Sequence, residues 1–438
     1  MKQRFFELGE RLFRELRANE VLLCTLAAER SDFVRFNQAR VRQAGSVAQR
    51  AFSLRLARER RQAAATIEIA GAGEDFDLLR ETLIRLREAL EGLPEDPWLL
   101  INETPQSTAS ERRGTLAPAE EVVAQATAAA RGRDLVGFYA GGTQYRGFAN
   151  SLGQRNWHEV DSFDFDWSLH AAPGRAVKRG YSGTAWDEAI FKGKLDAAAE
   201  QLRLLEIPER KIDPGEYRAY LAPRAMEELI GMLCWGGFSA RARATKQSPL
   251  LRMQQGQALS PKVTLLENTA EGIAPGFQSD GFVKPARVTL IAQGALGDAL
   301  VAPRSAREYG LATNAANAGE SPEALDLAPG TLAEGDALAA LGTGLYVSNL
   351  WYLNFSDRAA GRITGMTRFA TFWVEGGRIA APVAPMRFDD SVYRLLGENL
   401  LDLTRSRELL LDASTYEARS SASARLPGAL LRALRFTL

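Results

Sequence analysis

Cysteine and histidine are nearly missing from this 438-residue sequence. Cys24 and Cys234 are the only thiols, too few for a disulfide scaffold or a cysteine-based zinc module. His158 and His170 are the only imidazoles, so a three-histidine metal site within one chain is excluded and a Ser-His-Asp triad has two candidate bases. Net charge is missing too: 54 Lys+Arg balance 54 Asp+Glu, which argues against a coat for nucleic acid or for an anionic membrane. Only eight of the 54 basic residues are lysine, which reads as codon bias rather than phosphate binding. No apolar run approaches the ~18 residues of a membrane span. The opening segment MKQRFFELGERLFREL alternates charge with apolar residues and has no signal-peptide core. These absences lead us to expect a cytoplasmic protein. The sequence also lacks a GxxxxGK[ST] phosphate loop, an HExxH pair and a GxGxxG turn between strand and helix, and Gly342-Thr343-Gly344 is too short to cradle a phosphate.

What remains is an ordinary globular composition, 46% hydrophobic and 25% charged, at a length suited to two or three domains. Phe5, Leu8, Leu12, Phe13 and Leu16 recur at helical spacing over 4–17, and Leu78, Leu79, Leu83, Leu86 and Leu90 over 75–91. Between these helices, the segments 21–27, 32–37, 51–56 and 64–69 read as short strands of an antiparallel meander. Residues 101–117 and 312–335 read as loops, and Gly141-Gly142 as a turn after a strand at 135–140. From Trp157 to His170 the period is two, with Phe163, Phe165, Trp167 and Leu169 on one face and Asp164, Asp166, Ser168 and His170 on the other. A helix over 184–205 is expected to be capped by Thr184. Residues 206–214 mark the boundary between an N-terminal domain, 1–213, and a C-terminal one, 214–438. In the latter we expect a strand at 217–221, a helix from Pro223 to Cys234 closed by Trp235-Gly236-Gly237, and strands at 288–292 and 296–301. Strands at 369–374 and 378–383 would be joined by Glu375-Gly376-Gly377.

Few residues point to chemistry on their own. Residues two apart on a strand lie about 6.6–7 Å apart, poor spacing for a shared ion, so the Asp164/Asp166/His170 face reads as solvated. His158-Glu159 reads as a surface pair. Glu227-Glu228 are helical neighbours pointing about 100° apart, so the two are not expected to serve one site.

The ordered segments of the second half carry more. Phe277-Gln278-Ser279-Asp280-Gly281 is followed by Ser305-Ala306-Arg307-Glu308-Tyr309-Gly310-Leu311 and by Gly342-Thr343-Gly344-Leu345-Tyr346-Val347. Gly361-Arg362-Ile363-Thr364-Gly365 and Phe372-Trp373-Val374-Glu375-Gly376-Gly377-Arg378-Ile379 complete the set. In this order and spacing the chain resembles the TldD/PmbA family of peptidase-related proteins. The resemblance implies a two-domain α+β fold: an N-terminal antiparallel meander sheet with helices, then a mostly antiparallel β domain around a central cavity. The TldD-like kind carries a zinc-binding HExxxH on a helix early in the second domain and a Cys ligand near the C-terminus. The PmbA (TldE)-like kind lacks both. Here Glu227 and Met232 stand at the two His positions, Glu228 keeps the Glu position, and 384–438 contains neither Cys nor His. The chain therefore resembles the non-catalytic kind, with Glu227, Glu228 and Met232 a degenerate metal site and no catalytic residue or metal of its own. The resemblance implies a heterodimer with a TldD-like subunit that supplies the zinc, enclosing a chamber in which an unfolded peptide binds as an added strand. No nucleic acid or membrane partner is expected. Two other readings stand beside it: a peptide-binding homodimer without catalysis, and an independent hydrolase using Glu228 with His158 or His170.

Overall fold

The computed structural model describes residues 1–171 and 174–437. The first half builds one sheet from β1 (Glu20–Asn37), β2 (Arg40–Arg58), β3 (Arg61–Glu68), β4 (Thr108–Arg112), β5 (Asp134–Asn150), β6 (Arg155–His170) and β7 (Ala176–Gly183). Its order is β3-β2-β1-β5-β6-β4, with β7 also on β6. All pairings are antiparallel except β4 with β6. Helices α1 (Lys2–Phe13) and α2 (Asp75–Gly92) bury Phe5, Leu8, Leu12, Leu79, Leu83 and Leu86 against one part of this sheet. Helices α3 (Ala119–Ala129) and α4 (Glu188–Leu204) cover another part, where Phe163, Phe165 and Trp167 of the alternating β6 meet Phe191 of α4. Each such fully buried side chain contributes roughly 1.5–3 kcal/mol.

The second half follows from β8 (Gly215–Leu221) and α5 (Pro223–Cys234). Its strands are β9 (Leu265–Glu267), β10 (Val288–Ala292), β11 (Ala295–Leu296), β12 (Ala324–Leu327), β13 (Gly344–Asp357), β14 (Arg362–Glu375), β15 (Arg378–Pro382), β16 (Arg387–Ser391), β17 (Leu400–Leu411) and β18 (Ser423–Phe436). They form one mostly antiparallel sheet in the order β11-β10-β9-β12-β18-β16-β14-β13-β8. Strand β18 also pairs with β8, which closes β8, β13, β14, β16 and β18 into a ring. The fold is thus the expected α+β arrangement, with one sheet in each half. Among the described residues no helix is long and apolar enough to cross a membrane.

Several local expectations are corrected. The strands expected at 21–27 and 32–37 are one strand, β1, whose ladder with β2 shifts register only between Arg35 and Phe36. Gly141-Gly142 do not turn the chain but lie inside β5, where β1 crosses so closely that a Cβ on Gly142 would overlap the Arg30 carbonyl oxygen. Here glycine marks a close backbone approach within a strand. The expected loops 101–117 and 312–335 each hold a strand, β4 and β12, fixed by parallel pairing to β6 and β18. β12 is buried along its whole length and so shows no alternation, and β4 is five residues of Thr, Ala, Ser, Glu and Arg with no apolar face to signal a strand. The strand expected at 296–301 shrinks to Ala295–Leu296. The cap of α4 is Asp187 rather than Thr184, its carboxylate accepting from the Ala189 and Ile190 amides at 2.8 and 3.2 Å.

Candidate functional site

Helix α5 begins at Pro223, whose fixed φ suits a first helical position after the extended Ala222. One side buries Ala225, Met226, Leu229, Ile230, Met232 and Leu233 in the core of the second half. The other side carries Arg224, Glu227, Glu228 and Gly231, and these border a cavity of about 370 Å³. Asp166 and Lys178 of the first sheet form part of its wall, and Leu325, Leu411 and Leu426 supply an apolar part. The segment Asp412–Ala413 and Ala422 also line it. The cavity therefore lies where the two halves meet.

The charges are paired in short links. Arg224 Nη1 donates to Glu227 Oε2 at 3.0 Å, and Lys178 Nζ lies 2.8 Å from Asp166 Oδ2. The Ser182 hydroxyl donates to Asp164, which is buried beside them. Burial pushes the Asp164 carboxyl up to about 6, against the Ser182 hydrogen bond and the Arg224 charge that favour its ionised form. Burial also raises the Glu227 pKa, opposed by Arg224, and raises that of Glu228 with help from the Glu227 charge. Cys234 is pushed up to about 12 by burial, and its Sγ donates to the Ile230 carbonyl oxygen, so it is no ready thiolate.

The residues present do not fit a zinc ion. Glu227 is engaged by Arg224, and Met232 is buried in the core, 2% exposed, away from the cavity face. Among the described residues no group of three or more His, Cys, Asp or Glu side chains is placed to hold a metal ion. A zinc site draws on about three nitrogen, sulfur or oxygen ligands from the protein, and one guanidinium-paired carboxylate does not supply them.

Structure and sequence reading part at several of these residues. Glu227 and Glu228, expected to diverge, both border the one cavity, because it is wide enough to span the 100° between them. The Asp164/Asp166 face, read as solvated, is partly closed: Ser182 bonds Asp164, which is 7% exposed, and Arg224 of α5 rests beside them on Gly180, while Asp166 stays half-buried. His158, read as half of a surface pair, is 2% exposed and its Nε2 lies 2.9 Å from the Ile273 carbonyl oxygen. Its neighbour Glu159 is buried too and pairs with Arg113. His158 is covered by the second half through Ile273, whereas Glu159, on the opposite face of β6, is covered within the first half beside Trp157 and Arg113. His170 bonds Ser168 at 2.9 Å and lines a different cavity with Trp351, Met366 and Phe369. Neither histidine joins Glu228 at the α5 cavity. Sequence reasoning missed Arg224, Lys178 and Gly180. The one signal available was the Arg224-Glu227 spacing of three, which puts opposite charges on one helix face.

The comparisons with known proteins agree with this architecture. Residues 214–437 match the family model described as the PmbA/TldA metallopeptidase C-terminal domain. No curated protein matches the sequence. A crystal structure from Thermotoga maritima, provisionally described as a modulator of a DNA gyrase, superposes with a TM-score of 0.81 at 15% identity, covering 99% of this chain and 100% of that one. TldE from Thermococcus kodakarensis gives 0.79 at 13% identity over 99% of this chain and 100% of that one. A structure from Bacteroides thetaiotaomicron with the same provisional description gives 0.76 at 16% identity, over 100% and 98% of the two chains. At these identities the likeness is one of fold.

Proposed function

We propose that this chain, which belongs to the PmbA/TldA metallopeptidase family, acts as the non-catalytic, TldE-like subunit of a zinc metallopeptidase that processes unfolded peptides. One observation carries the reading: on α5, Glu227 is held in an ion pair with Arg224 and Met232 is packed into the core. A helix so arranged offers no set of metal ligands; Glu228 still borders the cavity, but without a metal it has no bound water to activate. The zinc and its base then belong to a TldD-like partner in a heterodimer, and this chain supplies a wall of the shared chamber and the face that receives the partner. The fold likeness to TldE supports the same assignment. On this reading the chain divides into domains 1–213 and 214–438 and works in the cytoplasm.

Co-expression with a TldD-like chain carrying HExxxH tests it. A stable complex that hydrolyses unstructured peptides is expected, while the chain alone stays inactive. If the two chains stay apart and peptidase activity is unchanged by adding this one, the reading fails. A homodimer that captures extended peptides and ignores TldD-like chains would put the peptide-binding module in its place. Peptide hydrolysis by the isolated chain would do the same for the independent hydrolase.

A further inference from the structure

Arg224 reaches from the first turn of α5 onto the first sheet. Among the described residues only its Nη1 is bonded, to Glu227, while Nε and Nη2 are buried without a partner there. The guanidinium rests on Gly180 of β7, where a Cβ would overlap Nη2. Gly180 is the register partner of Asp166, whose Oδ1 is likewise buried and unpartnered while Oδ2 meets Lys178. A glycine opposite an aspartate thus leaves room on the sheet surface for a planar group delivered by the other half of the chain. Burial by itself would lower the Arg224 pKa, yet the carboxylates of Glu227, Asp164, Glu408 and Asp166 outweigh it and hold the guanidinium above the ordinary arginine range. Those four acids come from α5, β6 and β17, so both halves contribute to one cationic centre.

We propose that the Arg224 guanidinium is the resident cation of this cluster, inserted across the junction of the two halves into a slot that Gly180 leaves open. The slot takes a flat, forked cation rather than a spherical divalent one. Guanidinium is planar, weakly hydrated and permanently charged, and so suits a buried acidic site better than a metal lacking its ligands. The inference rests on the reading that this chain holds no metal of its own, and it explains why the acids of the cavity need none.

Chemical rescue of the full-length chain tests it. The substitution Arg224→Ala should lower the melting temperature by at least about 2 °C, the shift that a loss of about 2 kcal/mol gives in a protein of this size. Methylguanidinium in the tens of millimolar should recover at least half of that shift, whereas equal sodium chloride or micromolar zinc should not. The paired substitution Arg224→Gln with Glu227→Gln removes the cation and its nearest anion together, and should be insensitive to methylguanidinium. If Arg224→Ala is recovered only as aggregate, refolding yield becomes the readout and should rise with methylguanidinium alone. Equal responses of the wild type and Arg224→Ala to methylguanidinium, or rescue by zinc, would overturn the inference and leave the subunit assignment standing. One equivalent of zinc bound by the wild-type chain would overturn both. Failure to pair with a TldD-like chain would remove only the subunit assignment.

Discussion

Arg419, in the segment joining β17 to β18, ends on Ser162 in the middle of the first sheet, its Nη2 donating to both the carbonyl and the hydroxyl oxygen at 2.8 Å. Its Nη1 meets the Ser31 hydroxyl at 3.3 Å and the Gly142 carbonyl at 3.2 Å. Gln144 and Gln49 hold the same segment by donating to the carbonyl oxygens of Arg419 and Glu417 at 2.7 and 2.6 Å. The segment is thereby strapped across the junction between the halves, and Tyr416 at its crest is 86% exposed.

Truncating this arginine leaves buried acceptors unsatisfied. We expect Arg419→Ala to cost about 3 kcal/mol in urea unfolding. Chymotryptic cleavage at Tyr416 should accelerate in native conditions, since the strap loses its anchor. Arg419→Lys should recover little, because an ammonium cannot span Ser162 and Gly142 at once. Unchanged cleavage kinetics would show that the strap is held without the guanidinium, by Gln144, Gln49 and the bond from the Arg419 amide to Glu29.

His158 makes stability fall toward acid. Burial, with the charges of Arg112, Arg146 and Lys284, lowers its pKa from 6.5 to about 4, against the hydrogen bond to Ile273. The unfolded chain therefore binds the proton first as pH drops. The imidazole's contribution is complete above pH 6.5 and is lost as pH falls through that value toward about 4. Unfolding free energies at pH 7 and pH 4.5 should differ by about 2.5 kcal/mol more in the wild type than in His158→Gln. Asp164 works in the opposite direction, since its raised pKa favours the folded state at low pH and that advantage fades as pH rises toward 6. Asp164→Asn should thus steepen the acid loss.

Gly142 has φ +147 and no room for a side chain beside Arg30. Gly142→Ala should destabilise by about 2 kcal/mol or more, because either β5 or β1 must shift. A substitution at the unencumbered Gly45, in the exposed part of β2, should stay within about 0.5 kcal/mol.

Restoring the imidazoles that the family resemblance assigns to α5 should not restore a metal site. In Glu227→His with Met232→His, one ring would face the cavity and the other the core. Zinc titration followed by calorimetry should show no stoichiometric binding. The Met232→His change alone should cost about 2–4 kcal/mol, from an imidazole buried in place of a thioether. Tight zinc binding by the double variant would mean that α5 can rotate about its axis.

Much of this architecture was written locally in the chain. Pro223 and Gly236 bracket α5 at its observed bounds, and the alternation of Phe163, Asp164, Phe165 and Asp166 yields the two faces of β6. Gly376-Gly377 likewise turn β14 into β15. What escaped were features made by distant partners. The short strands β4 and β12 carry no hydrophobic alternation in their sequences and are fixed by the neighbours they pair with. His158 looks polar enough for the surface until the second half covers it, and Glu159 until Trp157 and Arg113 close over it. The site suffered most: the consequence of the Glu227 charge depends on Arg224, whose place depends on the absence of a side chain at Gly180, more than forty residues earlier in a different sheet.

The pairing of β8 with β18 has a consequence for the order of events during synthesis. Gly215 lies opposite Phe436, so the ring of the second half has its two seam strands separated by nearly all the intervening sequence. Until β18 is made, β8 lacks one of its two neighbours and α5 lacks one of the walls it packs on, whereas every strand of the first sheet has already been synthesised. The nascent chain therefore carries a finished first half tethered to an open, sticky second one, and its exposure to chaperones and proteases is concentrated in the interval before Ser423–Phe436 leaves the exit tunnel.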